Sequence, residues 1–222
     1  MLFRSGNFDL PELQKQLDDA LEKRYKHESG AELRIVSAAI DTGHKTKSVY
    51  NYCKPRFSRR IYAVKGSPTP AAPIIRASFQ KTSRVWLHTL GTDGLKDSLF
   101  SRLQIKEVGH RYCHFPQSAT YNEEYFRQLT SEVVRKKFEK GQWRRIYVKI
   151  RERNEALDKR VYALAAYEIL RPNMEALASQ LVKQEKPDTT EYQLKAEPKA
   201  QPAARPFVKP FRKSGGFIGG WR

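Results

Sequence analysis

The chain has almost no cysteine. Cys53 and Cys113 are its only two, far apart and in no metal-ligand spacing, which excludes a disulfide framework and argues against a cysteine zinc centre. It has no apolar run approaching the roughly 20 residues that cross a bilayer. The opening stretch, Met1 to Asn7, lacks a charged start followed by an apolar segment, so no secretory leader is expected. These absences predict a soluble chain in the cytoplasm of the cell that makes it. No Gly-x-x-x-x-Gly-Lys-Ser/Thr occurs, and with it no nucleotide site is expected. Acids are scarce: 24 Asp and Glu stand against 42 Lys and Arg, a formal net charge of +18. Such an excess implies a polyanionic partner. Nucleic acid comes before a membrane surface, because no amphipathic anchor or lipidation motif accompanies the charge.

What the sequence does have is organised around residues 33–54. An almost unbroken apolar run ends on a single acid, Asp41, and Thr42-Gly43-His44-Lys45-Thr46 leads into a helical pattern. A run rich in Ile, Val and Ala without polar alternation suits a strand covered on both faces, as in sheets flanked by helices. Ligands and reacting groups collect at the carboxyl ends of such strands. An acid there also serves as a helix cap or Asx turn, so Asp41 needs partners before it becomes chemistry.

In chain order, the leucines at 10, 13, 17 and 21 mark an amphipathic helix over 8–24. A short helix is expected over 46–52, stopped by Pro55, and a strand over 59–66. The Pro-rich piece 67–74 reads as a loop, and 85–88 as a strand followed by a helix carrying Leu95, Leu99 and Leu103. Residues 111–116 suggest a short strand. Residues 122–138 suggest a helix with Tyr125, Phe126, Leu129 and Val133 inward. Residues 143–149 alternate as a strand with a basic face, 154–170 form the longest predicted helix, and 174–182 form one more. Beyond Lys186, scattered prolines among Lys, Arg, Ala and Gln replace any hydrophobic period. The predicted organisation is therefore an α/β domain over 1–185 and a disordered basic tail over 186–222, closing on a Gly/aromatic segment that reads either as an unstructured end or as a docking peptide.

Two acids stand out in that domain: Asp41 at a strand end and Asp158 on the late helix. Basic residues at nearby element ends suit a phosphate backbone, namely Lys45, Lys47, Arg59, Arg60, Lys65, Arg144, Arg145, Lys149, Arg151 and Arg153. Separated carboxylates beside basic strand ends fit metal-dependent phosphodiester cleavage, because Mg²⁺ and Mn²⁺ prefer hard oxygen ligands and a pair of such ions stabilises both attacking and leaving oxygens.

Five ordered blocks carry a resemblance. They are Ala39-Ile40-Asp41-Thr42-Gly43-His44 with Thr46, Val49-Tyr50 and Cys53; Gly91-Thr92-Asp93 with Lys96-Asp97; Tyr112-x-His114-Phe115-Pro116; Glu124-Tyr125-Phe126 with Leu129-Thr130-x-Glu132; and Arg153-Asn154-Glu155-Ala156-Leu157-Asp158 with 161–166. Together they resemble the nuclease portion of lambda-type phage terminase large subunits over about residues 30–170. The resemblance implies an RNase H-like mixed sheet flanked by helices, and cleavage of concatemeric viral DNA during packaging with Mg²⁺ or Mn²⁺ at a two-metal site, in the host bacterial cytoplasm. It implies double-stranded DNA, a portal protein and a terminase small subunit as partners, with no membrane. Carried over by position, Asp41 and Asp158 are the catalytic and metal-binding acids, and His44, Asn154, Glu155 and Asp93 have supporting places. His44 departs from the glycine usual at its position. The family's nuclease portion starts with a further strand bearing an aspartate, preceded by an ATPase; the expectation is that this chain starts downstream of both, which leaves its metal site incomplete and points to an upstream terminase polypeptide as a further partner.

Two other readings compete. Asp41-Thr42-Gly43 mimics the aspartic-protease tripeptide, but that β-rich class predicts no helix directly after it. A non-catalytic DNA-binding or portal-docking remnant, with the tail as its active part, fits the charge equally well.

Overall fold

The computed structural model describes residues 8–27, 30–139 and 141–184. The chain divides into two units, Met1–Glu185 and Lys186–Arg222; the second, and with it the predicted tail, lies outside the described residues.

The first part of the chain supplies α1 (Pro11–Glu22), the short strands β1 (Arg24–Lys26) and β2 (Glu32–Arg34), then β3 (Ala38–Asp41) and α2 (Thr46–Cys53). The predicted strand reaching back to Leu33 is thus two pieces. Ile35 and Val36 between them are exposed, because β2 pairs backwards with β1 and leaves the main sheet. α2 ends at Cys53, two residues before Pro55, as expected, but the chain stays helical beyond it. Pro55 sits in the first turn of a 3-10 helix, Lys54–Arg59, where its missing N–H has no bond to lose.

β4 (Ile61–Gly66), β5 (Ile75–Gln80) and β6 (Val85–Leu90) complete a four-stranded mixed sheet in the order β3-β4-β6-β5. β3, β4 and β6 are parallel, and β5 returns antiparallel on β6. Ile61, Tyr62, Ala63 and Val64 are all buried, as an inner strand covered on both faces requires. Period-two alternation sorts them. Ile61, Ala63, Val85 and Leu87 pack with Val49, Tyr52 and Cys53 of α2 and with Leu17 and Leu21 of α1. Tyr62, Val64 and Leu90 face α3 (Thr92–Leu103) and α5 (Glu155–Leu170), meeting Leu95, Leu99, Leu157, Val161 and Leu164. Burying such a side chain contributes about 1.5–3 kcal/mol. β5, absent from the sequence reading, is recruited by its register on β6 from Ile75 opposite Leu90 to Gln80 opposite Val85. Gly91 makes room for the loop before it: a Cβ there would lie 2.4 Å from the Ala72 carbonyl oxygen.

Asp18 ties α1 to this layer, accepting from the Tyr52 hydroxyl at 2.9 Å and from Arg56 at 2.9 and 2.5 Å. Those guanidinium bonds hold its carboxyl below the usual range.

Two expectations fail after α3. Residues 111–116 form no strand; Phe115 sits instead in an edge-to-face cluster with Tyr121, Tyr125 and Phe126, with the Arg160 guanidinium 4.6 Å above its ring. No strand pairs with this stretch, and Pro116 has no N–H to donate. The helix predicted over 122–138 is only α4 (Glu123–Leu129), capped by the Asn122 side chain accepting from the Tyr125 N–H. From Glu132 the chain is β7 (Glu132–Glu139), paired antiparallel with β8 (Gln142–Lys149) from Glu132 opposite Lys149 to Glu139 opposite Gln142. The β-branched Val133 and Val134 suit that ladder, and Phe126, predicted inward, is partly exposed. α6 (Met174–Gln184) closes the described chain.

Candidate active site

Alternation along β3 decides where Asp41 points. Ala38 and Ile40 join the α1/α2 layer while Ala39 joins the α3/α5 layer, so Asp41 projects to the side covered by α5. The turn after it is fixed by Thr42, fully buried, whose N–H and hydroxyl donate to the Val64 carbonyl at 2.8 and 3.0 Å. The Gly43 N–H donates to Asp41 Oδ1 at 3.1 Å, an Asx turn. A Cβ at 43 would come within 3.0 Å of Asp41 Oδ2, so glycine keeps the carboxylate its space. Asp41 does not cap α2; Lys45 occupies that position with φ 54°.

α5 brings the second acid. Its apolar stripe through Leu157, Val161 and Leu164 faces the core, and Asp158, beside Leu157, is half-buried at the margin of that stripe. Tyr162 lies one turn further on the same side, where its hydroxyl feels the charges of Asp41 and Asp158. Burial, with the charges of Asp41 and Asp158, pushes the Tyr162 hydroxyl well up. The Asp158 carboxyl is also pushed up, first by burial; Lys96 and Lys149 pull against this, while Glu132 and Asp41 add to it. Asp41 and Asp158 therefore share one electrostatic environment, although 117 positions separate them in the chain.

Beneath them lies a polar network built from β7, β8 and α3. Glu132, at the base of β7, is buried and accepts from Lys96 Nζ at 2.6 Å and from Asn154 Nδ2 at 3.2 Å. The Asn154 carbonyl oxygen in turn accepts from Lys149 Nζ at 2.9 Å. Asn154 stands at the N-cap of α5 without capping it; its amide bridges Lys149 and Glu132 instead. Sequence reasoning singled out neither Glu132 nor Lys96 as a site residue, although both stand in the quoted blocks.

The remaining candidates are placed as follows. His44 is exposed at the turn after Gly43. Glu155 is exposed in the first turn of α5 and acts on Lys159, and Asp93 lies in the first turn of α3, outside the charges that act on Asp158. Of the basic candidates, Lys65 ends β4, the strand in which Val64 pairs with Asp41. Lys149 joins the network, and Arg151 and Arg153 are exposed just before α5. Lys45 pairs with Asp9 at 3.0 Å, with Lys47 exposed beside it. Arg145 forks onto Asp97 with two bonds of 2.6 Å, which hold the Asp97 carboxyl down, while Arg144 lies on the ribbon's other face. Arg59 pairs with Asp18 and Glu22, and with Arg60 it lies at the opposite, N-terminal end of β4. The ten do not form one patch.

Among the described residues no three His, Cys, Asp or Glu side chains converge as a metal cluster. Asp41 and Asp158 still fit a hard cation. Mg²⁺ is commonly held by one or two carboxylates and keeps several waters, and an exposed Asp41 with a half-buried Asp158, each adding negative charge near the other, suits such an ion. Glu132 does not fit that role, because Lys96 and Asn154 take its oxygens.

The family model described as "Terminase large subunit gpA, endonuclease domain" matches residues 5–179. The chain is 30% identical over 198 residues to the large terminase subunit of Enterobacteria phage P21, covering 86% of this chain and 31% of that protein. It is 29% identical over 171 residues to that of Escherichia phage lambda, covering 74% of this chain and 27% of that protein. It thus spans about a third of the length of these curated relatives. No solved structure matches it. Among the described residues no helix is long and apolar enough to cross a membrane. With the strand-end acid, the late-helix acid and the ordered motifs between them all falling inside the matched span, the chain belongs to the endonuclease-domain family of phage terminase large subunits.

Proposed function

We propose that this chain is a divalent-metal-dependent DNA endonuclease unit with an RNase H-like core, cutting concatemeric viral DNA during genome packaging in the host bacterial cytoplasm. The observation that carries the reading is the packing of α5, which bears Asp158, against β3, whose carboxyl end bears Asp41 on the side facing α5; the Asp41 charge is among those that raise the Asp158 carboxyl. Two carboxylates forced together on a strongly basic protein suit a cation and a phosphodiester better than they suit each other.

Asp41 and Asp158 would hold Mg²⁺ or Mn²⁺ between them. When bound, such an ion neutralises developing charge on phosphoryl oxygens and sharpens a water as nucleophile. The chain's own residues do the rest. Gly43 orients the Asp41 carboxylate through its N–H, and Tyr162 lines the same side of α5 beside both acids. Lys96 and Lys149 place positive charge beside Asp158, and Lys65 places it at the end of the strand next to β3. The buried Glu132 and Asn154 fix both of those first lysines, which preorganises the field around a bound phosphate.

Plasmid nicking by the purified, folded chain tests this. Nicking with Mg²⁺ or Mn²⁺ that disappears with EDTA and in Asp41→Ala and Asp158→Ala supports the reading; metal-independent nicking, or none, overturns it. A second reading is favoured by the lack of a third metal-capable side chain among the described residues: a binding unit that grips double-stranded DNA, or docks on a portal protein or terminase small subunit, and cuts only when an upstream terminase polypeptide adds a further acid. DNA binding indifferent to chelator and to both mutations, without cleavage, identifies it.

A further inference from the structure

The β7–β8 ribbon is the most unusual surface of the domain. Residues 132–149 carry seven Lys or Arg against two Glu. At the tip, Phe138 and Trp143 face each other across the ladder with ring centroids 5.3 Å apart, and they are 59% and 71% exposed. A tryptophan so open is uncommon in a folded domain, where the residue is highly buried on average. The ring pair supports the hairpin as a cross-strand contact, but that needs neither so much exposure nor so much flanking charge.

The register shows what the ribbon presents. One face carries Glu132, Val134, Lys136 and Phe138 with Lys149, Tyr147, Arg145 and Trp143; the other carries Arg135, Lys137 and Arg144, with Glu139 as its one acid. Both faces are therefore basic, and the aromatic pair lies on the face whose base is Glu132, in the network beneath Asp158. That base is clamped. Lys96 bonds Glu132, Tyr147 donates to Asp97, Arg145 forks onto Asp97, and the Ile150 N–H donates to the Ser131 carbonyl at 2.8 Å. Isolated two-stranded hairpins are marginal in water, so this anchoring is what lets the ribbon stand out as an arm. Six residues from Glu132 to Phe138 put the aromatic tip about 20 Å from the base, about six steps along B-form DNA.

We propose that this ribbon is a DNA-engaging arm that enters the major groove of the duplex being cut. The groove is wide enough for a two-stranded β-ribbon. Its two phosphate walls would meet Lys136 from one face and Arg135, Lys137 and Arg144 from the other, while Phe138 and Trp143 press on base edges and thymine methyls. The arm sets which stretch of duplex lies over Asp41 and Asp158 by gripping it some six base pairs away. This rests on the nuclease reading for the word "cut", but its binding claim stands apart from cleavage.

The test uses the full chain with Trp86→Phe and Trp221→Phe, so that Trp143 alone emits, titrated in EDTA with a 30-base-pair blunt duplex. The expected result is a shift and quench of Trp143 emission that saturates with binding and is reversed by methyl green, a major-groove ligand, and not by distamycin, a minor-groove one. Trp143→Ala should weaken binding about tenfold and Trp143→Phe much less, both with melting temperatures within a few degrees of the parent. Lys136→Ala and Lys137→Ala should each lower the slope of log K against log salt by about 1. Saturated DNA with unchanged Trp143 emission, or unchanged affinity in Trp143→Ala, overturns the arm. Competition by distamycin alone overturns the major-groove assignment. Metal-dependent nicking with a silent Trp143 would sink the arm and keep the nuclease; a responsive Trp143 without nicking would do the reverse.

Discussion

Two carboxylates reach Asp158 from different parts of the molecule, and they are built in opposite ways. Asp41 is exposed at the end of a four-residue strand, held by one backbone N–H. Glu132 is buried, with both oxygens taken by Lys96 and Asn154. The first has coordination capacity to offer a ligand; the second has none. An acid's chemistry here is decided by what its oxygens already hold, more than by its distance from the partner acid.

The largest expected effect separates the two by activity. Asp41→Ala and Asp158→Ala should each lower metal-dependent nicking at least about 10²-fold. Glu132→Gln, which keeps the shape and a hydrogen-bonding group, should lower it by about tenfold or less. Initial rates on supercoiled plasmid measure both. A folded Glu132→Gln protein as inactive as Asp158→Ala would break the distinction.

Stability should reverse the ranking. Glu132→Ala leaves the largely buried Lys96 ammonium and the Asn154 amide without their acceptor, which costs about 3–5 kcal/mol. Asp41→Ala removes an exposed side chain and should cost about 1 kcal/mol or less. Urea denaturation in EDTA compares them directly. A smaller effect sharpens the picture of the open acid. Gly43→Ala places a Cβ 3.0 Å from Asp41 Oδ2, so it should displace the carboxylate and lower nicking by about tenfold while the melting temperature holds.

The same contrast explains what the sequence could and could not reveal. Asp41 was legible because its signals are local: apolar residues, one acid, a glycine, then helical spacing, all within about a dozen positions. The place of Asp158 on a helix was legible because α5 is long and carries Leu157, Val161 and Leu164 at helical spacing. Glu132 was hidden by a false period. Tyr125, Phe126, Leu129 and Val133 fall at helical spacing, yet the helix ends at Leu129 because residues from 132 pair with 142–149, a non-local choice that window-based reading does not contain. Ile35 and Val36 misled in the other direction, being apolar yet exposed where β2 turns away to β1. β5 follows a proline-rich loop and alternates in polarity, and only its partner β6 identifies it. A sheet flanked by helices could be read from pattern, while its mixed character came only from the resemblance, since the antiparallel β5 was missed; the network that charges the site could not be read, because each of its bonds joins a different pair of elements.

The smallest effect concerns the half-buried acid itself, in metal-free protein. Asp158 is raised from its ordinary value of 3.8, chiefly by burial, with Glu132 and Asp41 adding to the rise. A carboxyl whose folded-state pKa lies above its unfolded one binds its proton more tightly when folded. Its stabilising contribution is complete below pH 3.8 and is lost as pH rises through the folded value. At neutral pH an ionised Asp158 should therefore stabilise the fold less than an uncharged side chain of the same shape. Asp158→Asn should make the EDTA-treated protein melt higher than the parent at pH 7, with the difference closing as pH falls toward 4. Added Mg²⁺ or Mn²⁺ should raise the parent's melting temperature and leave Asp158→Asn nearly unmoved. If Asp158→Asn instead melts lower at pH 7 and gains nothing relative to the parent on acidification, Asp158 is a structural acid like Glu132, and the contrast between the open and the occupied carboxylates loses its second member.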